Sequence, residues 1–228
     1  MNNLDAAETQ PSVAILLTLA GGFLDAFTYI GHGKIFANTM TGNIVMLAVN
    51  LAGGDVQQAL RHFWPLTGFV CALFIARLMQ LMTPPLMRQP AVVSLVLEIL
   101  ILVLGTQDLL PEILLIAGIA FSATLQSVFF THSGKQAYSS VMTTGNLRRC
   151  IQLFFESTIP LRDPGGQHEA ARLGAICLSF ALGSLAGGLV TQRLHDLALW
   201  LPTVLLIAAL VGVYRHARAS RVCEDVPR

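Results

Sequence analysis

The chain has 228 residues, 54% of them hydrophobic and only 12% charged, with a formal net charge of +1. Soluble domains carry about a quarter of charged residues, so this balance excludes an ordinary soluble domain and predicts an all-α integral membrane protein. At ~20 apolar residues per crossing the length accommodates six spans and leaves no room for a soluble catalytic domain, and a near-neutral chain without interleaved aromatic and basic residues gives no footing for a nucleic-acid partner.

Residues 1–11 read as an N-terminal cytoplasmic tail. Met1 to Gln10 contains Asp5 and Glu8 but no Lys or Arg, so a cleavable secretory signal is not expected and the first span is read as retained. That span, Ser12 to Ile30, holds Asp25 within Gly21-Gly22-Phe23-Leu24-Asp25-Ala26. An ionised carboxylate at that depth costs about 2.5–3.5 kcal/mol unless a partner or water compensates. Asp25 is therefore a candidate to relay a proton, bind a cation, or hold a helix through a hydrogen bond. Gly31 to Thr39 has the residue types of an irregular segment, with His32-Gly33-Lys34 at its start, and Thr41-Gly42-Asn43 then opens a short apolar helix near Asn38 to Gly53. The spans His62 to Thr83 and Pro90 to Gly105 follow, joined by a turn around Pro84-Pro85. Arg77 and Glu98 stand almost equally far from that turn, which predicts a structural ion pair between antiparallel helices, since an unpaired charge there is costly and Arg can snorkel.

The next span, Pro111 to Thr131, carries Gln126 near the place that Asp25 occupies in the first. His132-Ser133-Gly134-Lys135 leads to Thr144-Gly145-Asn146 and a second short helix, near Val141 to Thr158, with Arg148 and Arg149 at its start. Spans at Ala170 to Val190 and Leu197 to Tyr214 complete the chain, before an Arg-rich cytoplasmic tail over 216–228 that anchors the last span or touches anionic lipid. Gly183-x-x-x-Gly187 with Gly188 reads as a small-residue helix-packing face, within the chain or between copies in a homo-oligomer.

The recurrence of Thr-Gly-Asn, each time after a His and a Gly-Lys, divides the chain into two membrane repeats, 12–108 and 109–215. The short helices are brief for a ~30 Å core at ~1.5 Å per residue. Taking them as re-entrant places Arg77, Arg88, Lys135, Arg148, Arg149, Arg162, Arg172, Arg215, Arg218, Arg221 and Arg228 inside and only Lys34, Arg61 and Arg193 outside. Eight full crossings would give roughly equal sides, so the positive-inside rule favours six spans with two half helices and both termini in the cytoplasm. Three crossings per repeat make the second copy inverted, an arrangement whose broken helices point to a transport site.

The two tripeptides then face each other near the bilayer centre. Thr and Asn cap backbone N–H groups, Gly permits close approach, and a helix start directs partial positive charge inward, which suits an anionic group. The plainer reading is that the motifs cap and pack short helices. No phosphate-binding loop, His-Glu-x-x-His or Gly-x-Ser-x-Gly is present, and Cys71, Cys150, Cys177 and Cys223 have no Cys-x-x-Cys spacing. No metal, cofactor or enzymatic activity is expected.

On Gly22-Phe23-Leu24-Asp25-Ala26, Phe36 through Asn43, Leu125-Gln126 and Thr144-Gly145-Asn146-Leu147 with Arg149, the chain resembles the YoaK family of small bacterial membrane proteins. The resemblance covers nearly the whole chain. It implies a multi-pass protein of the bacterial inner membrane with about six spans and no established substrate. The sequence thus leads to a secondary transporter or facilitator of a small solute, with Arg149 biasing the site towards anions, surrounded by membrane lipid. Asp25, Thr41, Gly42, Asn43, Gln126, Thr144, Gly145, Asn146 and Arg149 are the candidate solute-binding residues, with Arg77 and Glu98 as the structural pair. The alternative is a non-transporting assembly or sensory partner in which the motifs only pack helices. A membrane enzyme ranks third, because no nucleophile stands beside an activating partner.

Overall fold

The computed structural model describes residues 10–81, 90–159 and 162–224. Among them the helices in chain order are α1 (Pro11–Gly31), α2 (Met40–Ala52), α3 (Val56–Leu81), α4 (Pro90–Thr106), α5 (Glu112–Phe129), α6 (Thr143–Glu156), α7 (Pro164–Leu194) and α8 (Trp200–Glu224). A 3-10 turn, His195–Leu199, joins α7 to α8, and a two-residue antiparallel hairpin, β1 (His132–Ser133) and β2 (Gln136–Ala137), lies between α5 and α6. Within the described residues each of the six expected long spans overlaps a helix, Leu197 to Tyr214 beginning in the 3-10 turn. The 216–228 segment continues α8 as far as Glu224; residues 1–9, the Pro84-Pro85 turn with Arg88, and 225–228 lie outside the described residues.

Local chemistry accounts for the boundaries. Pro11 and Pro164 open α1 and α7, where the missing N–H costs nothing. Asp163 caps α7, its two carboxylate oxygens accepting from the Gly165 and Gly166 N–H groups at 3.0 Å each. After α1 the chain turns through Gly33 and Lys34, both at positive φ, and the hairpin turns through Gly134 at φ 64°.

Four segments are long and apolar enough to cross a membrane: Pro11–Gly31, Val56–Leu81, Glu112–Phe129 and Pro164–His216, the last interrupted by the 3-10 turn. α4 has 17 residues, about 25 Å. α2 and α6, with 13 and 14, reach only about 20 Å. Large apolar side chains such as Phe74, Leu100, Leu178 and Leu185 face outward, as they do against lipid.

α1 lies at the centre, packed on α7 and α8, and the pairings have a pattern. α1 packs on α7 and α5 on α3; α2 on α3 and α6 on α7; α1 on α8 and α5 on α4; α4 meets α8. Exchanging α1–α4 with α5–α8 leaves this set unchanged. The α1–α7 crossing depends on bare backbone: a Cβ on Gly22 would overlap the Phe180 carbonyl, one on Gly183 the Leu19 carbonyl, and one on Gly187 would sit 2.5 Å from the Phe23 carbonyl. The Gly183-x-x-x-Gly187 face is thus spent on an internal contact, which brings the backbones together by the small-residue packing that membrane helices use in place of a hydrophobic drive. The main apolar core, including Leu17, Phe23, Phe27, Leu95, Leu102 and Phe130, fills the space among α1, α4, α5 and α8.

Candidate functional site

The segment entering α2 is fastened to α1 by side chains. Asp25, buried, accepts from the Asn38 N–H with Oδ1 and from the Thr39 hydroxyl with Oδ2, both at 2.6 Å. Thr28 accepts from the Ala37 N–H at 3.0 Å, and Asn38 donates its amide to the Gly21 carbonyl at 3.1 Å. Backbone without its own ladder is tolerated at membrane depth only when such partners satisfy it.

Asn43 of the first tripeptide is fully buried and closes a ring on the peptide seven residues earlier. Its Oδ1 accepts from the Phe36 N–H at 3.1 Å and its Nδ2 donates to the Phe36 carbonyl at 2.6 Å. Asn146 does the same to Ser139, at 3.0 Å and 2.7 Å. A side-chain amide carries one acceptor and one donor side by side, so it pairs with a peptide as a neighbouring strand would. The two Asn residues are clamps on the chain that leads into each short helix. His62 of α3, missed in the sequence and fully buried, adds to the first clamp with Nδ1 3.2 Å from Asn43 Oδ1.

In the second half Gln126 takes the place of Asp25. Its Oε1 accepts from the Ser140 hydroxyl at 2.7 Å, and its Nε2 donates to Glu98 Oε2 at 2.9 Å. The expected Arg77–Glu98 pair is corrected here. Glu98 is buried and bonded to Gln126, whereas Arg77 is exposed and reaches Gln80 Oε1 at 3.4 Å. The reason is helical phase: Ala72 and Ala76 carry the buried stripe of α3, which turns Arg77 outward.

Between the starts of α2 and α6 lies a cavity of about 320 Å³. Thr41 and Thr144 of the two tripeptides both line it with Thr143, while Thr39, Thr124 and Ser127 line it with their hydroxyls donated to Asp25 and to the Ala120 and Thr124 carbonyls, and Phe69, Phe180, Met40, Met142 and Leu147 supply apolar walls. Neither helix start is capped by a side chain, because the Thr39 hydroxyl is turned to Asp25 and Met142 has no acceptor to offer. The first turns of two helices therefore border one space, whose lining includes no charged side chain among the described residues; the Met40 N–H at the start of α2 is already bonded to the Asn38 carbonyl at 3.0 Å.

The predicted residues divide accordingly. Asp25, Asn43, Gln126 and Asn146 stand behind the cavity and position its walls. A Cβ on Gly42 would lie 3.0 Å from the Phe36 ring, while Gly145 has open space around it. Arg149 is exposed and donates to the Ala137 carbonyl at 2.8 Å, away from the cavity. The lining residues Phe69, Phe180, Thr39, Thr143, Thr124 and Ser127 gave little sign of themselves, since apolar spans are full of Phe and small hydroxyls.

A polar cluster marks one end of the bundle. Arg61 at the start of α3 pairs with Glu112 at the start of α5, and His32 lies 3.4 Å from both Glu112 Oε1 and Asp196 Oδ1. At the other turn Arg172 pairs with Glu169 at 2.9 Å. Each Arg also lies against a positive-φ glycine: a Cβ on Gly33 would meet the Arg61 guanidinium at 3.0 Å, and one on Gly134 would overlap that of Arg172.

The model of the family described as "Protein of unknown function (DUF1275)" matches residues 13–212. The chain is similar to the UPF0700 transmembrane protein YoaK of Bacillus subtilis (strain 168), 27% identical over 221 residues that cover 91% of this chain and 96% of that protein. No solved structure matches.

Proposed function

The chain belongs to the DUF1275 family, and it is a helical membrane protein; from that premise we propose that it is a secondary transporter or facilitator of a small anionic solute. The observation that carries this reading is the cavity between the two Thr-Gly-Asn helix starts. Its uncapped helix starts and the hydroxyls of Thr41, Thr143 and Thr144 suit an electronegative oxygen or halide, and with no basic side chain in the lining among the described residues the attraction comes from the helix ends and these hydroxyls. Attraction of that strength favours binding that is reversible, as passage through a membrane requires.

On this reading the six long helices cross the bilayer and α2 and α6 dip into it. The exchange-symmetric pairings, the matched Asn clamps and the matched Gly–Arg turns support two repeats, and three crossings in each invert one against the other. The positive-inside count assigns the His32–Glu112–Asp196 end to the outside of a bacterial inner membrane and both termini to the cytoplasm. The protein makes and breaks no covalent bond in this account.

The test is flux. Purified protein in sealed liposomes, loaded in turn with each of a panel of small monovalent anions, is expected to release at least one of them faster than empty liposomes. Replacing Thr41 and Thr144 by Trp fills the cavity and is expected to stop that release. A panel indistinguishable from empty liposomes would favour the second reading, a non-transporting membrane partner, which the structural use of both Asn residues already supports.

A further inference from the structure

The first half ties a carboxylate directly to the segment entering its short helix, through Asp25 and Thr39. The second half has the non-titrating Gln126 at that place, yet Gln126 is itself bonded to a carboxylate. We propose that Glu98 is a proton-binding site that acts on the cavity through Gln126 and Ser140. The inference rests on the transport reading and adds to it the ion that the second half senses.

The chemistry is that of an amide between two partners. In the arrangement described, Glu98 accepts, Gln126 presents Nε2 to it, and Oε1 is left to accept from the Ser140 hydroxyl. An ionised carboxylate can only accept, so it fixes this polarity. When a carboxylate oxygen of Glu98 takes a proton from water, it becomes able to donate. Gln126 can then turn its amide over, accept from Glu98 with Oε1, and donate from Nε2 to the Ser140 oxygen. The Ser140 hydroxyl hydrogen must in turn find another acceptor. No proton passes through the amide; what passes is the direction of the hydrogen bonds.

Ser140 is well placed to transmit that reversal. It is fully buried, its carbonyl rests 2.8 Å from where a Cβ on Gly21 would stand, and the clamp of Asn146 holds the residue before it. Three residues on, Thr143 and Thr144 line the cavity. Glu98 makes no ion pair among the described residues. The charged groups and histidines of the elements packed on α4 lie towards their ends: Glu112 opens α5, His195 and Asp196 are in the 3-10 turn, and Arg215, His216, Arg218, Arg221 and Glu224 come late in α8. Asp25 belongs to the other branch, and Arg77 is turned out of the bundle.

The experiment uses the full chain in liposomes with its native cysteines replaced and a single cysteine at Thr144 or, as internal reference, at Thr41. The rate of modification by a membrane-impermeant thiol reagent is measured across pH, divided at each position by the thiolate fraction titrated there, and expressed as the ratio of the two positions. The ratio is expected to change by about tenfold, the shift produced when two arrangements differ by a decade in proton affinity. Glu98→Gln should flatten it, and Ser140→Ala should flatten it while leaving the infrared carboxyl C=O band of Glu98 titrating. A ratio constant with pH in the unmodified chain, or a pH dependence that survives Glu98→Gln, overturns the proposal. Should Glu98→Gln not fold, the Ser140→Ala pair of readouts decides it alone. Absence of anion flux beside a pH-dependent ratio would sink the transport reading and leave the Glu98 switch standing.

Discussion

Asn146→Ala tests whether the second tripeptide is a clamp. The substitution removes the acceptor at 3.0 Å from the Ser139 N–H and the donor at 2.7 Å from the Ser139 carbonyl. Each buried backbone group left without a partner costs about 1–3 kcal/mol. Ser139 is only partly buried, so water relieves some of this, and the fully buried Asn amide no longer has to be desolvated. A net loss of about 2–4 kcal/mol follows. For a chain of this length that corresponds to a fall on the order of 10 °C in the unfolding midpoint. The assay is thermal unfolding of purified protein in one detergent, with Gln152→Ala on the exposed face of the same helix as reference. Asn43→Ala should lose at least as much, because it makes the same ring with Phe36 and also partners the buried His62. Losses below about 1 kcal/mol at both positions, the level of an ordinary exposed substitution, would refute the clamp and return both amides to the list of solute ligands.

Other consequences are as specific. Gly22→Ala drives a methyl into the Phe180 carbonyl and should destabilise by about 1–3 kcal/mol, whereas Gly145→Ala meets nothing within 4 Å and should be neutral or slightly stabilising; paired thermal shifts decide. Arg77→Gln should change stability by no more than about 0.5 kcal/mol, since the side chain is exposed, and a loss of several kcal/mol would restore the ion pair with Glu98. Asp25→Ala releases both Asn38 and Thr39, so a cysteine at the neighbouring cavity residue Met40 should label faster in that background; an unchanged rate would mean that Asp25 does not hold the start of α2.

The helices were legible because each apolar run is long and its breaks are marked by Pro, Gly or a polar cluster. The repeated tripeptide marked both short helices and, through Thr41 and Thr144, the space between them. What Asn43 and Asn146 do was not legible: the partner is a backbone peptide in the irregular segment before each helix, where no side-chain periodicity applies, so spacing alone cannot suggest it. The same limit misdirected Glu98. Equal distance from a turn gives equal depth, but only helical phase decides which side a residue faces, and Arg77 falls one residue past the buried Ala76. Gln126 then stands between Glu98 and Ser140, a tertiary arrangement joining three segments that no local pattern connects.

The central claim is that the two helix starts enclose a space that water and a solute can reach. Single cysteines at Thr41 and Thr144, the cavity residues of the two tripeptides, should be labelled by a membrane-impermeant thiol reagent in intact cells or inverted vesicles, with cysteines at the buried Asn43 and Asn146 labelling far more slowly. Protection of Thr41 and Thr144 from both faces, while an exposed terminal cysteine reacts normally, would contradict the account and leave the tripeptides as packing devices alone.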